Sequence, residues 1–255
     1  MAPEQVEPEP VSSSASGGAS AFAPSDRGDL VAPLTLVMVR HGVTPMTLEH
    51  RFSGSGVVGP SLTPAGRVQV AKAADAVHQI GRRTWQDLPS VDRVVASPMT
   101  RTQETGAAIG RRVGAHVETD ARLQEVDFGR WEGLTAQEIV ARDGGALLQW
   151  RDGEVAPPGG ESLAQVAVRV DGLVADLAAE HARLCVSDGD HGRSIALASH
   201  AVAIKSVVGL SLEAPERRWS RLWPSPASLT IVQLRVTTDG TVAERHLLCV
   251  GAPTS

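Results

Sequence analysis

The chain has 255 residues, of which 42% are hydrophobic, and this size suits one α/β domain with a sizeable core rather than two domains. Its net charge of -5, without any block of lysine and arginine, excludes the basic surface on which nucleic-acid binding depends, although a few arginines can still hold a small anion. The two cysteines, Cys185 and Cys249, are too few and too far apart for a disulfide framework or a zinc site, so we expect both to be reduced and buried.

Residues 1–33 are rich in Pro, Glu, Ser, Gly and Ala. Such a segment buries too little apolar surface to offset the entropy lost on ordering, so we predict a disordered leader over residues 1–33 and a folded domain over residues 34–252. The leader lacks the basic start and the apolar stretch of a signal peptide, and no apolar run in the chain is long enough to cross a membrane. We therefore expect a cytoplasmic protein with neither nucleic acid nor membrane as a partner.

The first predicted element is a buried strand that ends abruptly at polar residues. The run from Leu34 to Val39 is apolar and rich in β-branched residues, which is typical of a strand in a parallel sheet, and Arg40, His41 and Gly42 follow it. Ligands of α/β proteins bind where such strands end. A histidine can attack phosphorus only when it is unprotonated, and an adjacent guanidinium disfavours imidazolium and donates to phosphate oxygens. We expect Gly42 to allow close approach of backbone and substrate.

Two further strand and helix pairs are predicted along the chain. The sequence next predicts a loop over 43–62, a helix from 64 to about 81, a strand over 91–96 and a second helix after it. Thr63 and Ser97 each precede a proline, so both are predicted to be hydroxyl caps of these two helices.

The second half of the chain carries the last predicted elements. They are an irregular segment with short helical pieces over 123–160, an amphipathic helix over 161–184, a strand over 194–199, a helix over 201–210, and strands over 229–236 and 243–250 that we expect to be antiparallel neighbours. The third strand ends at His200, as the first ends at Arg40 and the second at Ser97. Because strand ends in an open α/β sheet converge on one crevice, we expect these residues to meet there.

The motif Arg40-His41-Gly42, followed by Thr44, resembles the signature of the histidine phosphatase superfamily, which includes cofactor-dependent phosphoglycerate mutases and small-molecule acid phosphatases. Further motifs follow in the order of that family: Arg51-Phe52-Ser53-Gly54, Leu62-Thr63-Pro64-Ala65-Gly66, Ser97 to Thr105, Leu123-Gln124-Glu125, Gly129-Arg130-Trp131-Glu132-Gly133, Pro158-Gly159-Gly160-Glu161-Ser162 and Ser199-His200. The resemblance covers about Leu34 to Val250. It implies an α/β fold, a three-layer α/β/α sandwich with a mostly parallel central sheet, with residues 34–252 as the catalytic domain.

The same resemblance implies roles for individual residues. His41 is expected to be the nucleophile that becomes phosphohistidine, and His200 the second histidine of the pocket. Arg40 and Arg101 are expected to hold the phosphate. Glu125 stands where phosphatases of the family place their proton donor, with Asp127 and Glu132 as nearby alternatives. No metal and no cofactor are implied.

Three loop residues complete the expected site. Ser53 and Gly54 match the family's substrate-contacting loop, and Thr47 stands where relatives often have asparagine. Ala201 also departs from the pattern, because relatives have glycine after the second histidine. These departures leave the expected clamp of two arginines and two histidines intact.

Together these motifs predict a metal-independent phosphomonoesterase that hydrolyses a small phosphorylated metabolite through phosphohistidine at His41, as a monomer or homodimer. Several motifs look closest to α-ribazole phosphatase-type acid phosphatases and to the phosphatase half of actinobacterial fusions to ribonuclease H. A phosphoglycerate mutase is an alternative, although the segment from Thr135 to Pro157 is shorter and less basic than the mutase insertion. An inactive phosphate-binding scaffold is the second alternative. For Trp131, Trp150, Trp219 and Trp223, core packing is favoured over a place at the pocket mouth.

Overall fold

The structure is a computed structural model that describes residues 29–254, so most of the predicted leader lies outside the described residues. At its centre is a six-stranded sheet. The strands are β1 (Leu34–Arg40), β2 (Val91–Ala96), β3 (Val117–Thr119), β4 (Arg193–Ser199), β5 (Leu229–Val236) and β6 (Val242–Ala252). Their spatial order is β3-β2-β4-β1-β5-β6.

The sheet is mostly parallel. β1 lies between β4, with which it pairs in parallel, and β5, with which it pairs antiparallel. β2 pairs in parallel with both β3 and β4, and β6 forms an antiparallel pair with β5. The predicted parallel sheet and the predicted antiparallel pair at its end are both confirmed. β1, which carries the Arg-His-Gly motif at its end, is therefore an interior strand with neighbours on both sides.

Helices cover both faces of the sheet. They are α1 (Pro45–Leu48), α2 (Pro64–Gln79), α3 (Thr100–Val113), α4 (Ala136–Asp143), α5 (Ala146–Arg151), α6 (Leu163–Asp188) and α7 (Ala201–Ser211), with short 3₁₀ helices at Ala121–Leu123, Gly129–Trp131 and Glu216–Arg221. Leu36 and Met38 of β1 point into a core formed with α6 and α7. Val37 and Val39 point into a second core with α2 and α3. The alternation of side chains along a strand thus produces the predicted three layers.

The predicted helix starts had different outcomes. Thr63 caps α2 as predicted, because its Oγ1 accepts a hydrogen bond from the Gly66 amide at 2.9 Å. The cap predicted at Ser97 is wrong: α3 begins at Thr100, its cap residue is Met99, and no side chain caps it. The Ser97 hydroxyl bonds instead to His200, 103 residues further along the chain.

The close approach observed at Gly42 is to protein backbone, and the expected approach of a substrate there stays a prediction. A Cβ atom on Gly42 would lie 2.5 Å from the Gly66 carbonyl oxygen, far inside van der Waals contact. The glycine is therefore needed because the loop after β1 packs directly on the first turn of α2. This contact helps to hold His41 at the end of β1.

Other predictions concern individual side chains and the leader. Both cysteine thiols are free; Cys185 is buried and Cys249 is partly buried. The last residues of the predicted leader contact the fold, since Leu30 forms an isolated bridge with Thr237. Core packing is confirmed for Trp131, Trp150 and Trp219, whereas it is wrong for Trp223, which is 73% exposed. Within the described part of the chain, no helix is long and apolar enough to span a membrane.

Candidate active site

Three parallel strands bring the predicted site residues together at one edge of the sheet. His41 follows β1, His200 follows β4, and Arg101 lies in the first turn of α3 after β2. The rings of His41 and His200 meet edge to face, with centroids 5.3 Å apart. All three side chains are buried. The convergence expected from the strand ends is therefore observed.

His41 is held as a neutral imidazole with one defined free nitrogen. Its Nδ1 lies 2.7 Å from the Gly42 carbonyl oxygen, which can only accept, so Nδ1 carries the proton and Nε2 keeps its lone pair. Burial lowers the pKa of His41 well below its usual value, and the positive charges of Arg101 and Arg40 lower it further. The ring is thus available as a nucleophile through Nε2 without prior loss of a proton.

His200 has both ring nitrogens committed to neighbours. Arg101 donates from Nε to His200 Nδ1 at 3.3 Å, and His200 Nε2 then donates to the Ser97 hydroxyl at 2.8 Å. Burial, followed by the charge of Arg101, lowers the pKa of His200 well below its usual value. In this arrangement His200 is a neutral ring that orients the Arg101 guanidinium.

The two arginines combine anchored and unused donors. Arg40 donates from one terminal nitrogen to the Pro224 carbonyl at 2.9 Å, and Arg101 donates from Nη2 to the Ser53 carbonyl at the same distance. Three buried polar atoms of the site have no hydrogen-bond partner among the described residues: Arg40 Nε, Arg101 Nη1 and Ser53 Oγ. Buried donors without partners are costly, and an anion with several acceptor oxygens would satisfy them.

Glu125 lies at the edge of this arginine pair. Its carboxylate accepts hydrogen bonds from the backbone amides of Val126 at 3.1 Å and Val202 at 3.0 Å, the latter in the first turn of α7. Its negative charge is near enough to raise the pKa values of Arg40 and Arg101 against the larger lowering effect of their burial. The side chain is buried and held by its backbone contacts, beside the clamp rather than within it.

The Ser53-Gly54 loop is fixed from the opposite side. Glu132 accepts from the Gly54 amide through both carboxylate oxygens, at 3.0 and 2.8 Å. Gly59, further along the same loop, has φ +79° and lies directly against Arg101 Nη1, where an added Cβ would approach to 2.3 Å. Glu132 therefore holds the loop, and its charge also acts on Arg101, whereas the charge of Glu125 acts on both Arg40 and Arg101.

Sequence reasoning did not identify Arg169, which holds the segment that carries Glu125. Its guanidinium donates to the backbone carbonyls of Arg122 and Gln124 at 2.8 Å and of Glu125 at 3.0 Å, and it pairs with Glu161. An arginine between apolar positions of a predicted amphipathic helix was the only available signal. Ser97 was noticed but interpreted as a helix cap, because its partner His200, which follows β4, is invisible to local patterns.

Thr47 is the one predicted site residue with its hydroxyl engaged elsewhere. Its Oγ1 lies 3.0 Å from Thr44 Oγ1 in a capping box at the start of α1. Its expected contact with substrate stays a prediction. As for metals, residues 29–254 place no group of three or more His, Cys, Asp or Glu side chains where they could bind an ion together.

A family model described as the histidine phosphatase superfamily (branch 1) matches residues 36–246. The chain therefore belongs to this superfamily, and the resemblance recognised in its motifs is confirmed.

Relatives within the superfamily are phosphatases in several cases. Glucosyl-3-phosphoglycerate phosphatase of Mycobacterium tuberculosis is 36% identical over 188 residues, which cover 73% of this chain and 79% of that protein. A protein of the same organism described as bifunctional is 33% identical over 215 residues, which cover 84% of this chain but 54% of that protein, about half its length. The solved structure of the mycobacterial glucosyl-3-phosphoglycerate phosphatase matches with a TM-score of 0.73 at 31% identity, covering 86% of this chain and 99% of the other.

Proposed function

We propose that this protein is a metal-independent phosphomonoesterase that hydrolyses a small phosphorylated metabolite through a phosphohistidine at His41. The observation that carries the proposal is the neutral His41 ring, whose free Nε2 stands beside the buried Arg101 and the partly buried Arg40, both with unused donors. Phosphoryl transfer requires mainly positioning and stabilisation of charge, and this set of groups supplies both.

In the first step His41 Nε2 attacks phosphorus and the bond from phosphorus to the alcohol oxygen breaks. Arg40 and Arg101 stabilise the charge on the phosphoryl oxygens, with Ser53 as an additional donor. Glu125 gives its proton to the departing oxygen. The Val202 amide already orients its carboxyl group, so little reorganisation is required.

In the second step water attacks the phosphohistidine. Glu125, now a carboxylate, accepts a proton from that water, the bond between phosphorus and Nε2 breaks, and His41 returns to its neutral state with release of inorganic phosphate. His200 acts throughout as a positioning residue, since it receives a hydrogen bond from the Arg101 guanidinium. We assign Thr47 and Gly54 to the substrate side of the same pocket.

The lowered pKa of His41 supports an acidic to neutral optimum, as the term acid phosphatase implies, because the nucleophile stays unprotonated in mild acid. The names of the relatives favour a phosphate ester of a sugar acid, such as glucosyl-3-phosphoglycerate, as the first substrate to test. We further propose a cytoplasmic location, from the composition of residues 1–33, and a monomer or homodimer.

The proposal is tested by release of inorganic phosphate from a panel of phosphorylated metabolites in EDTA. We expect activity in the wild type and its loss in His41→Ala. His116→Ala, at an exposed histidine between the C-terminal end of α3 and the start of β3, serves as the matched control and should retain full activity. Activity that persists in His41→Ala would refute the assigned nucleophile, and silence of the wild type on every substrate would favour a phosphate-binding scaffold.

A trapping experiment tests the nucleophile, and an isomerisation assay separates the phosphatase from a phosphoglycerate mutase. After rapid quenching with labelled substrate, label on His41 that is stable in alkali and lost in acid supports phosphohistidine, whereas acid-stable label on serine contradicts it. Interconversion of 2- and 3-phosphoglycerate that depends on a bisphosphate primer would instead establish the mutase.

A further inference from the structure

A lysine lies at the rim of the candidate site, although nearly all basic side chains of this protein are arginines. Only two of its 24 basic residues are lysines. Lys72 is exposed on α2, whereas Lys205 is partly buried on α7, the helix whose first turn holds Glu125. Lys72 therefore serves as an internal reference for Lys205.

The Lys205 ammonium contacts an aromatic ring. Its Nζ lies 5.6 Å from the centroid of the Trp223 ring, in a cation–π arrangement. Within residues 29–254 it forms neither a hydrogen bond nor a salt bridge with another side chain. Burial lowers its pKa, the charge of Glu125 opposes that effect, and Arg40 and Arg151 add to it. A partly buried cation among other cations is costly unless an anion joins it.

The position of Lys205 relates it to the leaving group rather than to the phosphoryl group. Val202, whose amide binds the Glu125 carboxylate, lies about one turn before Lys205 on α7, and the charge of Glu125 acts on the Lys205 ammonium. Glu125 is the proposed donor to the departing oxygen, and Lys205 is therefore on the side where the alcohol portion leaves.

Trp223 lies next in sequence to the residue that anchors Arg40. It is 73% exposed and directly precedes Pro224, whose carbonyl accepts a hydrogen bond from Arg40. The segment 223–224 thus contacts both the Lys205 ammonium, through the ring, and the phosphate clamp, through the carbonyl. A tryptophan ring contacts only one side of an ammonium group, so the N–H donors on its other sides can bind a ligand.

We infer, on the basis of the proposed function, that Lys205 binds a carboxylate on the alcohol portion of the substrate, with Trp223 positioning its ammonium. The substrate class is then a phosphate ester of a hydroxy acid. Arg151, an exposed cation at the end of α5, adds favourable potential for the same anion.

A pair of substrates isolates this contact. 3-Phosphoglycerate and glycerol 3-phosphate differ in a single group, a carboxylate in the first and a hydroxymethyl in the second. We expect the wild type to prefer 3-phosphoglycerate in kcat/KM, and Lys205→Met to lower that preference by about 10- to 100-fold, the effect of one hydrogen bond to a charged group. Lys72→Met should leave the preference unchanged, and Lys205→Arg should restore part of it. Trp223→Ala should weaken it, whereas Trp223→Phe should preserve it.

Loss of activity by the same factor on both esters in Lys205→Met would overturn the inference, because a structural role predicts that result. A wild type that prefers glycerol 3-phosphate, or hydrolyses other esters but neither of this pair, would overturn it as well.

A binding measurement keeps the test independent of turnover. With two lysines in the chain, reductive methylation followed by peptide mapping reports each amine separately. 3-Phosphoglycerate should protect Lys205 and not Lys72, and glycerol 3-phosphate should protect neither. Protection of Lys205 in a protein without phosphatase activity would refute the proposed function while supporting the carboxylate site. Phosphatase activity without protection of Lys205 would refute the carboxylate site while supporting the proposed function.

Discussion

Replacement of Arg101 by methionine should abolish activity while leaving the fold intact. Activity and stability should respond differently because Arg101 is buried and charged but forms no salt bridge with any described carboxylate. Its anchoring contacts are hydrogen bonds to His200 and to the Ser53 carbonyl, and its Nη1 has no partner. A guanidinium held in this way stabilises charge that arrives with the substrate.

The expected loss of activity follows from comparison with donors in oxyanion holes. Removal of one such donor costs about 2.7–4 kcal/mol, or roughly 10²- to 10³-fold in kcat. The charge of Arg101 also contributes to the lowered pKa values of His41 and His200, although burial contributes more. In Arg101→Met both pKa values should therefore rise, and the acid limb of kcat/KM should move to higher pH.

The expected change in stability is small. Methionine of similar length removes a desolvated charge and one unsatisfied donor, and it sacrifices the hydrogen bonds to Ser53 and His200. These effects oppose each other, because replacing a buried charge by an apolar side chain is often neutral or favourable. We expect the free energy of unfolding to change by less than about 1.5 kcal/mol.

Phosphate release and urea unfolding in phosphate-free buffer measure the two effects. Arg93→Met is the matched control, because Arg93 pairs with Glu118 and Glu180 at the other end of β2, away from the site. That variant should keep its activity and lose no more than about 1 kcal/mol of stability. Activity of Arg101→Met within about tenfold of wild type, or destabilisation above about 3 kcal/mol, would show that the guanidinium is structural.

Three further predictions concern other residues. Because the pKa values of His41 and His200 are lowered by folding, the unfolded chain binds protons below about pH 6.5 that the folded chain does not. The free energy of unfolding should therefore decrease as the pH is lowered, by about 1.4 kcal/mol per pH unit for each histidine, until the folded pKa values are reached. Urea titrations at several pH values measure this slope, and the double variant His41→Asn, His200→Gln should reduce it; an unchanged slope would contradict the assignment. Glu125→Gln should slow phosphoenzyme formation from alkyl phosphates by about 10²- to 10⁴-fold and from p-nitrophenyl phosphate much less, because that leaving group needs no proton; equal losses in rapid-quench experiments would exclude Glu125 as the donor. Trp131→Phe should destabilise the protein by roughly 2–3 kcal/mol in urea, because the Nε1 hydrogen bond to the Asp143 carboxylate at 2.6 Å is lost from a fully buried side chain, without change in kcat.

Local patterns were sufficient to predict most elements of the fold. The β-branched run of β1 and the hydroxyl before Pro64 each depend on residues a few positions apart, so the sequence displays them directly. The bounds predicted for β2 and β5 agree with Val91–Ala96 and Leu229–Val236. The short elements α1 and β3 were missed, because a few residues carry too little periodicity to be distinguished from a loop.

The sequence by itself determined which chemical groups are present at the strand ends. A histidine and an arginine follow one strand, and further candidate site residues follow two other strands. The tertiary structure decided what those groups do. It turned Ser97 from a predicted cap into the partner of His200, 103 residues away, and it brought Arg169 to the backbone of Glu125, 44 residues away. Hydrogen bonds and buried charge act over a few ångströms in space, and only packing of the sheet and helices determines which distant residues come that close.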